Sequence, residues 1–164
     1  MGSVDEVGKQ VAINDGPPLG STVVVATDGT HDSDEAVRVG VELGRQRGVE
    51  VQLISIVEPS DFTEYDGGTP ADIARATSVA IASREGELTA QRQRVHVTTQ
   101  EPTHQSICVG SRVEEIVKFA EQHHASLIVM GASSHGALAR LLHRHTVMRV
   151  AAATAVPILA VRAD

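Results

Sequence analysis

Aromatic residues are almost missing from this chain of 164 residues, which has no Trp, one Tyr and two Phe, 2% in all. A core without large rings must be filled by Val, Ile, Leu and Ala, a composition suited to layers of buried strands and closely packed helices. Cysteine is nearly missing too. Cys108 stands alone, so no internal disulfide can form, in keeping with a reducing compartment. Flanked by Ile107 and Val109, it is expected to be a small buried or half-buried hydrophobe and not a reactive thiol. No run approaches the roughly 20 apolar residues that cross a bilayer, and Met1 to Gly20 lacks the basic start and apolar centre of a signal peptide. A cytoplasmic protein with no membrane partner is therefore expected. Positive charge is in deficit: 14 Lys and Arg stand against 21 Asp and Glu, a formal charge of -7 at pH 7. Such a surface repels phosphate backbones and argues against DNA or RNA as partners.

What is present is an apolar content of 41%, enough for one core. Residues 1–19 mix Gly, Asp, Lys and Pro without periodicity and read as a tail or linker, so the domain is expected over 20–164. The β-branched run within Ser21 to Ala26 predicts a strand buried on both faces. Asp32 and Glu35 suggest a capping box for a helix ending near Gly48. A strand follows over Val51 to Val57, then a polar loop to Thr69 whose Phe62 and Tyr65 could close over a crevice or simply lie in a connection. Thr69-Pro70 opens a long helix through Ile73, Ala74, Ala80, Ile81 and Leu88, weakened at Gly86. Val95 to Thr99 alternates like a strand, whereas Pro102 obscures the segment that resumes at Ser106 to Val109. Ser111 and Glu114 suggest a second capping box, before a helix with Val113, Ile116, Val117 and Ala120 on one face. Leu127 to Met130 predicts another buried strand. Gly131 to Gly136 reads as a turn, and Ala137 to Ala153 as a helix with Leu138, Leu141, Leu142 and Met148 inward. Val156 to Val161 closes the chain as a strand.

Strands alternating with helices need long crossovers, which predicts an α/β three-layer sandwich: a five-stranded, mostly parallel sheet with helices on both faces. Ligands of such sheets sit at the carboxyl ends of strands where the strand order reverses. The turns after Ala26 and after Met130 are the ones to watch. Asp28, at the end of the first strand, either contacts a ligand or fixes its turn by bonding nearby amides.

Catalytic and metal-binding patterns are absent. Nothing matches the phosphate loop with its lysine, and Ser133-Ser134-His135 is a turn sequence, not a nucleophile elbow. His143 and His145 lie two apart, which on a helix turns them to different faces and argues against metal ligation with His135. His123-His124 is expected to end a helix, where imidazolium suits the partial negative charge. No catalytic residue, metal or required cofactor is expected.

Val23-Val24-Val25-Ala26-Thr27-Asp28-Gly29-Thr30 resembles the first strand and following turn of the universal stress protein family. Gly110 with Ile116, Leu127-Ile128-Val129-Met130-Gly131 and Val156-Pro157-Ile158-Leu159-Ala160-Val161 are similar to later anchors of the same family, and together they span Ser21 to Arg162. The resemblance implies a Rossmann-like fold of the adenine nucleotide alpha hydrolase type, a regulatory role under stress, and a homodimer through the last strand. One branch binds ATP through an Asp after the first strand and a Gly-x-x-Gly turn followed, nine residues on, by Gly-Ser or Gly-Thr. Glycines there let backbone amides approach phosphate oxygens. The resemblance marks Ala26, Thr27, Asp28 and Ile56, and then Gly131, Ser133, Ser134, Arg144 and His145, as candidate nucleotide-binding positions. Ser134 replaces the second glycine, and Arg144-His145 replaces the later small pair. Weak or absent ATP binding is expected, the alternative being a sensor for ATP, AMP or a cyclic nucleotide. Arg144 shares a helical face with Arg140, and the pair either meets solvent or supplies charge to a phosphate.

Overall fold

The computed structural model describes residues 22–59, 69–97, 103–132 and 137–162, with the backbone alone for 137–144. Five strands, β1 (Thr22–Ala26), β2 (Glu50–Val57), β3 (Thr103–Val109), β4 (Ala125–Gly131) and β5 (Ile158–Val161), form one sheet in the order β3-β2-β1-β4-β5. All four pairings are parallel, as crossover connections require. Between the strands run α1 (Asp34–Arg47), α2 (Pro70–Arg94), α3 (Arg112–Gln122) and α4 (Ala137–Ala153), with a short 3-10 turn at His31–Ser33 ahead of α1.

Alternation along the central strand divides the core into two layers. Val23 and Val25 pack with Ala36, Val37 and Val41 of α1, while Val24 packs on the opposite face with Ile116, Phe119 and Ala120 of α3 and Val150 of α4. Each fully buried Val or Ile contributes about 1.5–3 kcal/mol to such a core. The helix α1 lies close to the sheet because Gly40 and Gly44 leave room for Val25 and Val51. It ends at Gly48, whose φ of 65° suits the left-handed cap.

Several local expectations give way to tertiary partners. The capping box expected at Asp32 and Glu35 does not form: α1 starts at Asp34 after the 3-10 turn, and Glu35 pairs with Arg38 at 3.0 Å. Ser33, which occupies the N-cap, commits its hydroxyl to Asp28 and Thr30 and makes no capping bond. Ser111 likewise makes no side-chain cap at α3; Glu58 Oε1 accepts the Arg112 backbone N–H at 2.9 Å in its place. Thr69 does form a capping box, with Asp72.

The expected strand at Val95 does not begin there. Val95 and Val97 donate backbone bonds to Gln91 and Arg92 and pack on the α1-side core, so their alternation records a helix end folded back on its own last turn. The third strand is Thr103–Val109. Among the described side chains of α4, Val147 and Val150 face inward, and Met148, expected inward, is 69% exposed because it falls off their stripe. The side chains of Leu138, Leu141 and Leu142 lie outside the described residues, as do Phe62 and Tyr65. Ile73, on the first turn of α2, is 54% exposed, whereas Leu88 and Gln91 further along are fully buried. Among the described residues no helix is long and apolar enough to cross a membrane.

Candidate functional site

The chain leaves β1 towards β2 on one side and leaves β4 towards β5 on the other, so the crossovers diverge at the pair of strands in the middle of the sheet. Ala26 lies in register with Met130, which sets the two turns singled out from sequence side by side at the carboxyl edge. A cavity of about 740 Å³ opens there. Ile54, Ile56, Ile116 and Met130 give it an apolar wall, and Asp28, Arg84, Glu87 and Arg112 give it a charged rim.

Five of the nine candidate positions line this cavity: Ala26, Thr27, Asp28, Ile56 and Gly131. Ser133 and Ser134 lie outside the described residues, and of Arg144 the backbone alone is described, within α4. His145 is exposed and is not among the lining residues; its neighbour Thr146 is. At Gly131 an added Cβ would meet nothing closer than 3.7 Å among the described residues, so their packing does not demand glycine there. Ser55 also lines the cavity, and its buried hydroxyl has no hydrogen-bond partner among the described residues. A buried polar atom in that condition costs about 1–3 kcal/mol.

The turn after β1 is held from within and from behind. Asp28 Oδ1 accepts from the Thr30 backbone N–H at 3.1 Å, the Thr30 hydroxyl at 2.6 Å and the Ser33 hydroxyl at 2.9 Å. Behind it, fully buried Gln91 accepts from the Thr27 hydroxyl at 2.8 Å and donates to Ser33 Oγ and Asp34 Oδ1, both at 2.9 Å. Asp34 is only 5% exposed and takes a forked pair of bonds from Arg94, at 3.1 and 2.9 Å. Burial pushes its carboxyl up, but the bonds from Arg94 and Gln91 outweigh that, and the net position is below the ordinary carboxylate value. Across the cavity, Glu58 bridges to the Arg112 guanidinium at 3.0 Å as well as capping α3.

Sequence reasoning did not find Arg84, Glu87, Gln91, Arg94 or Arg112. A signal existed for one of them: Gln91 stands three residues after Leu88 on the buried stripe of α2, and a polar residue in such a stripe needs partners. Cys108 is half-buried beside the α3-side core, and burial raises its thiol above the ordinary range, which fits an inert hydrophobe. No group of metal-ligating side chains occurs among the described residues.

Comparison with known proteins agrees with this geometry. The model of the universal stress protein family matches residues 21–162. Universal stress protein MJ0531 of Methanocaldococcus jannaschii is 29% identical over 153 residues, covering 92% of this chain and 86% of its own. Among solved structures, a universal stress protein in complex with cAMP superposes with a TM-score of 0.65 at 21% identity, covering 89% of this chain and 99% of the other. The universal stress protein from Archaeoglobus fulgidus in complex with dAMP gives a TM-score of 0.53 at 18% identity, with 88% and 99% covered. With a parallel sheet in this order, a crevice at its switch point and a family match across nearly the whole domain, the chain belongs to the universal stress protein family.

Proposed function

We propose that this chain is a non-enzymatic cytoplasmic regulator of the stress response whose crevice receives a small adenine nucleotide with one phosphate, AMP or a cyclic form, and binds ATP weakly or not at all. The observation that carries this reading is the cavity of about 740 Å³ at the switch point, with an apolar wall for a flat base and Asp28 at its edge. Sites of roughly 300–1,000 Å³ with a few polar groups suit ligands of this size. Ser55, whose hydroxyl has no partner among the described residues, and Gly131, where those residues leave room for a side chain, both suit close approach by a ligand. Two solved relatives hold cAMP and dAMP, each an adenine nucleotide with a single phosphate. Against a triphosphate stand the sequence departures at Ser134 and Arg144, where the ATP-binding branch exposes backbone amides; His145, at the same small pair, lies outside the lining of the cavity.

Titration calorimetry with AMP, cAMP and ATP tests the reading, together with mass spectrometry of protein purified under native conditions. AMP or cAMP is expected to bind stoichiometrically and at least tenfold more tightly than ATP, and Asp28→Ala to weaken it by about tenfold. Tighter binding of ATP, or its turnover above a buffer control, would sink the proposal. An empty protein that takes up none of the three favours a second reading, a regulator acting without any nucleotide, which the substitutions at the glycine positions also suit.

A homodimer through residues 156–161 belongs to the same proposal. Among the described residues β5 ends the sheet with an unpaired edge, Leu159 is 37% exposed, and Ala160 beside it is exposed on the other face. Light scattering at micromolar concentration is expected to give the mass of a dimer, and Leu159→Asp that of a monomer; a wild-type monomer contradicts the assignment.

A further inference from the structure

Three consecutive backbone carbonyls in the turn after β1 are each taken by a different side chain of α2. Arg84 Nη1 donates to the Asp28 carbonyl at 2.6 Å, Arg94 Nη2 to that of Gly29 at 2.8 Å, and Gln91 Nε2 to that of Thr30 at 3.1 Å. Seven and three residues separate the donors, so they form one stripe along the helix. Gly29 has a φ of 79° and sits so close to α2 that a Cβ there would come within 2.9 Å of Glu87 Cβ. The turn therefore lies flat on α2, without a side chain between. Inside the turn, the Thr30 amide and the hydroxyls of Thr30 and Ser33 orient the Asp28 carboxylate. The pose of that carboxylate follows the backbone of residues 28–33, and that backbone follows α2.

We propose that α2 is a positioning element of the crevice and that Arg84, through the Asp28 carbonyl, sets the direction in which Asp28 meets its ligand. The proposal rests on the reading of the crevice as a nucleotide site. Gln91 and Arg94 also serve Ser33 and Asp34 in the buried network, so their loss would disturb the core. Arg84 differs: besides the Asp28 carbonyl it reaches Glu87 at 3.4 Å, and its side chain is 23% exposed at the cavity rim. It can be replaced without opening a cavity in the core, which makes it the residue to test.

Three proteins, the wild type, Arg84→Ala and Arg84→Lys, would be compared in the absence of ligand by amide hydrogen exchange, and then titrated with adenosine and with AMP. Arg84→Ala is expected to speed exchange at the Gly29 and Thr30 amides by about tenfold, with the melting temperature within a few degrees of wild type. It is also expected to weaken adenosine and AMP alike, by about tenfold, and Lys, which restores one donor to the carbonyl, to recover most of the loss. Loss of AMP affinity alone would mean that Arg84 touches the phosphate directly, and would overturn the positioning role. Unchanged exchange at Gly29 and Thr30 would overturn it as well. If the wild type takes up neither compound, the nucleotide reading fails by itself, and the exchange rates still decide whether α2 holds the turn.

Discussion

Replacing Arg94 with alanine is expected to lower the stability of the fold by about 3 kcal/mol at neutral pH, a fall of roughly 10 °C in melting temperature. Asp34 is 5% exposed, and the forked bonds from Arg94 are its charged support on that side; His31 Nδ1 lies 3.2 Å from Asp34 Oδ2 but sits in solvent. Removing the guanidinium leaves a buried carboxylate with Gln91 as its inner partner and frees the Gly29 carbonyl as well. The dependence on pH gives the prediction a second edge. In the wild type the folded-state value for Asp34 is depressed, so its contribution is present above the unfolded value, about 3.9, and is lost as pH falls through the folded value. In the variant the lowering by Arg94 is gone, so the folded-state value moves up and protonation relieves the buried charge sooner. The gap between the two proteins should therefore narrow in acid. Urea unfolding at pH 7 and pH 4 measures this, and a gap that is constant with pH would show that the pair does not act through the charge of Asp34.

The second large effect separates glycines that look alike in sequence. Gly40 and Gly44 lie in α1 and Gly86 lies in α2, and alanine is a better helix former than glycine by about 1 kcal/mol at each. Local propensity alone predicts stabilisation at all three. A Cβ at Gly40 would fall inside the van der Waals surface of Val25 Cγ2, and one at Gly44 inside that of Val51 Cγ2. Val25 is fully buried and Val51 is 2% exposed, and a branched Cβ leaves neither an easy rotation away. The double variant Gly40→Ala, Gly44→Ala is expected to lose about 3 kcal/mol, overpacking having exceeded propensity at both sites. At Gly86 nothing among the described residues lies within 4 Å of an added Cβ, and Gly86→Ala is expected to gain about 0.5–1 kcal/mol. Opposite signs in chemical denaturation are the result to look for; two gains would show that α1 can lift off the sheet at little cost.

The crevice itself was half legible from residues close in sequence. Ala26, Thr27, Asp28, Ile56 and Gly131 line it; the turns after Ala26 and Met130 can be read from β-branched runs that stop, whereas Ile56 was marked only by the family resemblance. Capping was less legible. Ser33 and Ser111 have the right chemistry and stand at helix starts, yet neither caps by its side chain: the Ser33 hydroxyl serves the turn of Asp28, and Glu58 supplies the carboxylate at α3. Met148 and Val95 misled for a related reason, since apolar spacing near the end of an element fits more than one stripe or period.

The order of elements, the parallel sheet and the place of the crevice were determined by sequence alone, because runs of Val, Ile and Leu separated by helical lengths permit few other ways to bury them. Tertiary structure alone decided what holds Asp28. Arg84, Gln91 and Arg94 reach the turn from 56 to 65 residues away, and no local pattern announces a bond to a backbone carbonyl at that separation. Apolar burial depends on periodicity, which is written along the chain; a hydrogen bond depends on a donor arriving within about 3 Å at the right angle, which is settled when the helix packs.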